Sequence, residues 1–307
     1  MRITNNLIQA NALANLQTNL RRVSEAQQQV STGLRIQKAS DDPSGASRAI
    51  QTRGSIRALD QYQRNIAMAN SAAATEETSL GQLGDILMRA KELAMSQGSG
   101  TSDATTRATT KVEVDQLLQA AIQLGNTKTG DEYLFGGQWA DQAPFDAGQT
   151  GQSPPYVSLD PATGLPREPS GVNQTEISAG RYMQATHDGK QVLLDSGVLA
   201  ALKGLSDALG ATDSPQTKVQ TSLGDLDTAF DNIQVLLGEN GARVNQLDVT
   251  SANISAFAIN LKTLKSDVEE VDVEKAVTEL VSRQTAFQAA MLATSKVMGL
   301  TLADYLR

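Results

Sequence analysis

From Leu13 onward, the first segment of the chain sets apolar residues three and four apart at Leu13, Leu16, Leu20, Val23, Val30 and Leu34, with one polar interruption at Gln27. The last segment repeats the pattern at Val277, Leu280, Phe287, Met291 and Met298. Such spacing is a heptad seam, the narrow apolar stripe of a helix that packs on another helix. The polar faces beside the seams are unusual. No charge occurs between Ile3 and Leu20, where Asn5, Asn6, Gln9, Asn11, Asn15, Gln17 and Asn19 take the polar positions, and between Gln284 and Ala303 the only charge is Lys296. A water-facing helix carries Glu and Lys on its outer side. Amides suit a helix with protein on several sides, because a buried charge is costly where an amide can pair.

Each fully buried Leu or Val contributes roughly 1.5–3 kcal/mol, whereas ordering a residue's backbone costs about 1–2 kcal/mol. With one seam residue per three or four positions, a lone helix of this kind breaks even or loses. The two ends are therefore expected to gain order by packing on each other and on further chains, with the seam residues as the assembly interface.

Between the ends, the first helix is predicted to run to about Thr32, with Gly33 as its C′ residue. Asp42 and Pro43 read as N-cap and first residue of the next helix. That helix carries Leu59, Ile66, Ala73, Leu80, Leu87 and Ala94 at strict sevens, and a second row at Tyr62, Ala69, Leu83 and Ala90 that Glu76 interrupts. Some forty helical residues reach about 60 Å. Gln97 to Ser102 reads as a turn, and Asp103 opens a shorter helix with Val112, Leu117, Leu118, Ala121, Ile122 and Leu124, the second arm of an antiparallel hairpin.

Gly125 to Gln138 changes character, with Gly and aromatics that predict a β-hairpin holding Tyr133, Leu134 and Phe135 in a strand. Gly148 to Pro169 is dense in Pro, Gly and Ser, and short strands are expected near Tyr156–Leu159, Asn173–Ile177 and Gln191–Leu194. Val198 to Leu209 reads as helix. A second long heptad run begins at Leu223 and continues through Leu226, Phe230, Ile233, Leu237, Val244, Leu247, Ile254, Leu261 and Val268, broken by Asn240 and Ser251. The acidic run Asp267, Glu269, Glu270, Asp272 and Glu274 fits a solvated helix face or a joint before the last helix, with Ser266 and Glu269 spaced as a capping box.

These elements predict a mainly α chain with a small β-rich insert: an elongated rod of antiparallel long helices whose N- and C-terminal helices pair as a coiled coil. The expected domains are a terminal helical coiled coil (1–42 plus 266–307), a helical rod (43–140 plus 196–265) and a β-rich outer insert (141–195).

Composition narrows the function. Hydrophobic residues are 40% of 307 but aromatics only 4%, the balance of long helical bundles. A net charge of −8 with interspersed signs lacks the basic stripe of a nucleic-acid binder. No run is long enough to span a bilayer, and no basic n-region precedes an apolar h-region, so no cleaved secretory signal is expected. By itself that would suggest a cytoplasmic protein. Cysteine is absent, which excludes thiol catalysis, thiolate metal sites and disulfides together. His187 is the only histidine, and HExxH, GxSxG, GxxxxGK[ST] and GxGxxG are all missing. Asp188-Gly189 reads as a hairpin turn, Trp139 and Tyr133 as anchors of the insert, and Asp41 with Asp42 lack a third oxygen donor for a metal. No catalytic, cofactor or metal residues are assigned, which favours a structural role.

Several segments in order resemble the bacterial flagellin superfamily: Ser31-Thr-Gly-Leu-Arg-Ile-Gln-Lys-Ala-Ser-Asp-Asp-Pro-Ser-Gly45, the helix Leu59–Leu93 ending Arg89-Ala-Lys-Glu-Leu-Ala-Met95, and Val112-Glu-Val-Asp-Gln-Leu-Leu118. The resemblance covers roughly residues 1–140 and 220–307. Within the superfamily, Gly130-Asp-Glu-Tyr-Leu-Phe-Gly-Gly137 and the tail from Phe287 to Leu306 look like hook-associated members more than filament flagellins. One departure is a pair of acids, Glu76 and Glu77, at the seam of the long helix.

The resemblance implies a structural subunit joining flagellar hook to filament, extracellular and exported unfolded by the type III pathway without a cleaved signal. It implies as partners copies of itself, a hook-associated protein on the hook side, flagellin or the next junction protein on the filament side, and an export chaperone on the C-terminal segment. It brings no enzymatic activity, cofactor, nucleic acid or membrane insertion. A filament flagellin is the nearest alternative, a rod bearing a ligand-binding insert a second, and a cytoplasmic helical regulator a third. The energetic argument predicts that hydrogen exchange on the dilute, isolated full chain is much faster at amides near Leu20 and Met291 than near Leu80. Equal protection at the three places would contradict it.

Overall fold

A computed structural model describes residues 2–98, 103–171 and 173–305; the side chains of residues 2–6, 8, 9 and 297–305 lie outside that description. The turn expected at Gln97 to Ser102 falls mostly outside the described residues. Six long helices carry the fold, α1 (Arg2–Thr32), α2 (Pro43–Gln97), α3 (Ala104–Gly125), α4 (Val198–Gly210), α5 (Pro215–Glu269) and α6 (Val273–Tyr305), with four short strands, β1 (Lys128–Thr129), β2 (Glu132–Tyr133), β3 (Gln174–Ser178) and β4 (Arg181–Gln184). The mainly α class with minor β content is as the patterning predicts. The chain divides into two compact units, Met1–Ala58 with Ala256–Arg307, and Leu59–Ser255.

The unit of residues 59–255 holds most of the core. Both heptad rows of α2 are buried there: Ile66, Ala73, Leu80, Leu87 and Ala94 in one, Ala69, Leu83 and Ala90 in the other. From Leu80 to Ala94 they meet Val114, Leu118, Ala121 and Ile122 of α3, the apolar face of α4, and Val219, Leu226, Ala229 and Ile233 of α5, while Ile66 and Ala69 form a second cluster with Ile177, Leu247 and Ile254. α2 and α5 run antiparallel. Gln63 Nε2 donates to Ser251 O at 3.0 Å, Asn70 Nδ2 to Asp248 Oδ1 at 3.2 Å and Asn240 Nδ2 to Ala73 O at 2.9 Å, so that rising positions on one helix meet falling positions on the other.

The segment after α3 is fastened by a small-residue contact. A Cβ on Gly125 would lie 2.3 Å from Leu193 Cδ1 and 2.8 Å from Phe145, so only glycine lets these side chains close over the helix end. Asn126 then pairs with the backbone of Phe145 in both directions, Nδ2 donating to Phe145 O at 2.8 Å and Oδ1 accepting from Phe145 N at 3.0 Å. The expected hairpin forms, with β1 antiparallel to β2, but it ends at Tyr133; Leu134 and Phe135 lie in the following turn. There Phe135 is fully buried, packed in the main core.

Residues 141–195 contain less strand than expected. β3 and β4 form an antiparallel hairpin near the anticipated Asn173–Ile177, while Tyr156–Leu159 contributes only single bridges, Phe145 to Val157 and Leu159 to Pro166. Gln191–Leu194 is not a strand. It lies in a wide helical turn, Lys190–Asp195, in which Val192 and Leu193 face the core together, as they could not in an extended chain. Trp139, about half exposed, meets this region through the Arg167 guanidinium 3.8 Å over its ring, and the buried Phe135 and Phe145 supply the apolar part of the attachment. Truncating Phe145 to Ala is expected to destabilise the 59–255 unit by about 3–5 kcal/mol, the usual loss for a buried Phe, measured by chemical denaturation of the full chain.

Candidate functional site

The unit of residues 1–58 and 256–307 has a very different balance. Its fully buried apolar side chains, among the described residues, are Ala26, Ile36, Ala49 and Ala276, three of them alanines. α1 and α6 pack antiparallel, and Arg283 Nη1 donates to Arg22 O at 3.0 Å. The seam residues are brought to this pair but not enclosed by it. Leu13, Leu20, Val277 and Met291 are exposed, Leu20 at 54% and Met291 at 44%, while Leu16, Val23, Val30, Leu34, Leu280 and Phe287 are half-buried. The side chain of Met298 lies outside the described residues.

Other apolar residues join this uncovered surface. Val273, Val281 and Leu292 on α6, and Ile50, Phe257, Ile259 and Leu264 on α2 and α5, are all exposed. The heptad reading overlooked them because they fall between its rows. Their signal is the density of large apolar side chains around a helix, not their period.

The ends of this unit are pinned by a polar joint. Gly33 ends α1 at φ +69°, a left-handed conformation that glycine adopts freely. The chain then lies against the α5–α6 turn as a one-bridge ladder between Leu34 and Glu270, with Arg35 N donating to Glu269 O at 2.7 Å and Val271 N to Gly33 O at 2.9 Å. The Arg35 guanidinium donates to Val268 O at 2.8 Å and lies 3.3 Å from Asp42 Oδ2. Glu269, part of the acidic run, is buried with its carboxylate 2.7 Å from Arg53. Most of the run is exposed, but this member is the joint's central charge. The expected capping box is displaced: α5 continues through Ser266 to Glu269, and α6 is capped by Asp272, whose Oδ1 accepts from Lys275 N at 3.2 Å.

Asp41 and Asp42 are committed within the same joint. Asp41 Oδ2 accepts from Gln37 N and Lys38 N at 3.1 and 2.9 Å. Asp42 Oδ1 accepts from Gly45 N at 2.9 Å and Ser44 Oγ at 3.0 Å, the N-cap geometry that opens α2. A Cβ on Gly45 would lie 2.5 Å from both Asp42 Oδ2 and Ile36 Cδ1, so the stretch Ser31–Gly45 is a tightly folded corner. Backbone hydrogen bonds from Lys38 and Gln37 hold the Asp41 carboxyl below the ordinary range, and the Gly45 backbone N–H with the Ser44 and Arg35 side chains does the same for Asp42.

Family comparison places this corner and the helices beside it. The model for the bacterial flagellin N-terminal helical region matches residues 3–140, and that for the C-terminal helical region matches residues 223–306. The chain belongs to the bacterial flagellin family. The family's members are structural parts of the flagellum, outside the cell, and serve motility. Hook-associated protein 3 of Escherichia coli is 23% identical over 93% of this chain and 96% of its own length. The flagellin of Bacillus subtilis is 27% identical over 95% of both chains. Among solved structures, the flagellar junction protein FlgL of Legionella pneumophila shares the fold, with a TM-score of 0.54 at 14% identity, covering 72% of this chain and 99% of that one.

The chemistry of the family member is that of packing and charge pairing. His187 does not sit in a hairpin turn, as Asp188-Gly189 suggested; it is buried among Glu76, Glu239 and Arg243, and Gly189 leads into the helical turn. The joint yields an acid-dependent expectation. Because Asp41 and Asp42 have lowered pKa values, their contribution is complete above about 3.8, the unfolded value, and is lost as pH falls through the folded values. Amide protection at Lys38 and Gly45 is expected to collapse in that acid window, and Asp42→Ala should remove it at Gly45 at neutral pH, read by hydrogen exchange.

Proposed function

We propose that this chain is the structural subunit that joins the flagellar hook to the filament. It assembles with copies of itself through α1 and α6, which carry the uncovered seam of Leu13, Leu20, Val277 and Met291. The observation that supports this most is the contrast between a member of the flagellin family with a well-filled inner unit and terminal helices whose large apolar side chains remain in water. Such helices gain their missing burial from neighbouring subunits.

Sequence identity to a filament flagellin is as high as to a hook-associated protein, so identity does not choose between them. The stretch Gly130–Gly137 favours the junction role, as does the brevity of the middle segment. In this reading residues 1–42 with 266–307 form the assembling domain, residues 43–140 with 196–265 the intermediate layer, and residues 141–195 the outer face. A hook-associated protein contacts one side of the assembled subunits, and flagellin or the next junction protein the other. Export follows the flagellar type III route without a cleaved signal, a chaperone covering the C-terminal apolar face beforehand. The chain has no catalytic role and takes no cofactor.

Deleting the gene and viewing cells by electron microscopy tests this. Hooks without filaments, with flagellin shed into the medium, are expected. Normal filaments would defeat the proposal, and loss of the filament's own main subunit would establish the filament-flagellin alternative instead.

A further inference from the structure

The inner unit contains one cluster of charges where its helices ought to be apolar. Glu76 occupies the row of α2 that otherwise holds Ala69, Leu83 and Ala90, and is 0% exposed. Asn240 occupies the row of α5 that holds Ile233, Leu247 and Ile254, and is likewise buried. His187, just beyond β4 and 2% exposed, closes over both helices. Its Nδ1 is 2.5 Å from Glu76 Oε1, and its backbone N donates to the same oxygen at 3.1 Å. Its Nε2 faces two groups of opposite character on α5: Glu239 Oε2 at 2.9 Å and Arg243 Nη2 at 2.7 Å.

That arrangement cannot be satisfied by one protonation state. A protonated imidazole donates from Nδ1 to Glu76 and from Nε2 to Glu239, but then points its Nε2–H at the Arg243 guanidinium. A neutral imidazole keeps the donation to Glu76 and accepts from Arg243 at Nε2, but then turns a lone pair toward the Glu239 carboxylate. We propose that His187 is a proton-operated clasp, donating to Glu239 when charged and accepting from Arg243 when neutral, that fastens the β3–β4 hairpin to α2 and α5 most firmly in the charged state.

The charge count supports the direction. With Glu76 and Glu239 ionised and Arg243 positive, a protonated His187 makes the cluster neutral, and a neutral one leaves a net negative charge beside a fully buried carboxylate. Asp188, the remaining acid on the same segment, is engaged elsewhere: its Oδ1 accepts from Gln191 N at 2.8 Å and its Oδ2 from Gly171 N at 3.1 Å. Burial pushes the imidazole pKa down and Arg243 adds to that, but the hydrogen bonds to Glu76 and Glu239 with the Glu76 charge outweigh them and hold it above the ordinary value of 6.5. A raised folded-state pKa means that the clasp's contribution is complete below about pH 6.5, the unfolded value. It is lost as pH climbs through the folded value. The hairpin it fastens has no other ionic tie to these helices among the described residues: Ile177 packs on Ile66, Ala69, Leu247 and Ile254, and Asn65 Nδ2 donates to Glu176 O at 2.8 Å.

A single histidine makes the test direct, because histidine-labelled full-length protein gives one imidazole NMR signal. Across roughly pH 5–9, that signal is expected to titrate with a midpoint above that of free histidine. Glu239→Gln should move the midpoint down and Arg243→Gln should move it up, and amide protection at Ile177 and Tyr182 should fall at pH values above the midpoint. Glu239 and Arg243 lie at the edge of the core, so these variants retain the fold. Absence of titration over that range, a midpoint below the free value, or shifts of the same sign in the two variants would overturn the proposal. So would hairpin protection that is independent of the histidine's charge.

Discussion

Burial is shared unevenly between the two units, and the behaviour of the molecule depends on that inequality. In the unit of residues 59–255, Leu, Ile and Val side chains from four helices close over one another and over Phe135 and Phe145. In the unit of the chain ends, fully buried apolar positions among the described residues are one isoleucine and three alanines. An alanine removes little apolar area from water, whereas each exposed leucine or methionine on α1 and α6 forgoes roughly 1.5–3 kcal/mol of possible burial. The pairing of α1 with α6 encloses Ala26 and Ala276 and leaves Leu13, Leu20, Val277 and Met291 exposed. The scarcity of charge on the same helices belongs to the same design, since a neighbour that covers them would have to desolvate any charge it met.

Much of this was legible in the sequence because helices announce themselves through period. The strict sevens from Leu59 to Ala94 became the α2 core face with only Leu59 less than buried, and Asp42-Pro43, Asp103 and Gly33 cap and stop helices where expected. What period cannot show is which exposed apolar residue belongs to no seam, as with Phe257 and Ile259 on α5. Short strands were less legible still. Gln191–Leu194 is a short apolar run of the kind a buried strand also shows, yet Leu193 packs at Gly125 on the end of α3 and the segment is wound into a helical turn, a tertiary effect that overrides local preference. The joint at Glu269 was hidden for a similar reason: an acid within an acidic run carries no mark of the arginine that will meet it from a position more than two hundred residues away.

The polar residues inside the inner seam serve a purpose that the apolar ones cannot. Two long helices held only by Leu and Ala can slide by a heptad at small cost, because each heptad resembles the next. Asn240 interrupts that equivalence by bonding to Ala73 O, and Glu76 does so by accepting from His187 N. Gln63, which donates to both Ser251 O and Ser255 Oγ, adds a second polar layer some turns away. A slip of seven residues would leave Asn240 buried without its partner, a loss of about 1–3 kcal/mol, and would part the half-buried Gln63 from Ser251 and Ser255. Register in α2 and α5 is thus specified by the interruptions that make the pattern look imperfect.

The same reasoning connects the interior to the ends. With the apolar side chains of α1 and α6 largely uncovered, the unit of residues 59–255 holds its structure by a fixed register and a filled core of its own. The corner Ser31–Gly45 is where the two requirements meet along the chain. Its hydrogen bonds close locally: Gly33 and Arg35 to the α5–α6 turn, Asp41 and Asp42 to their own amides. A corner satisfied in this way fixes where α1 ends and α2 begins while asking nothing of the α1–α6 seam. The end of α1 is thereby set independently of how α1 packs on α6, by hydrogen bonds at the corner with little apolar burial there beyond Ile36.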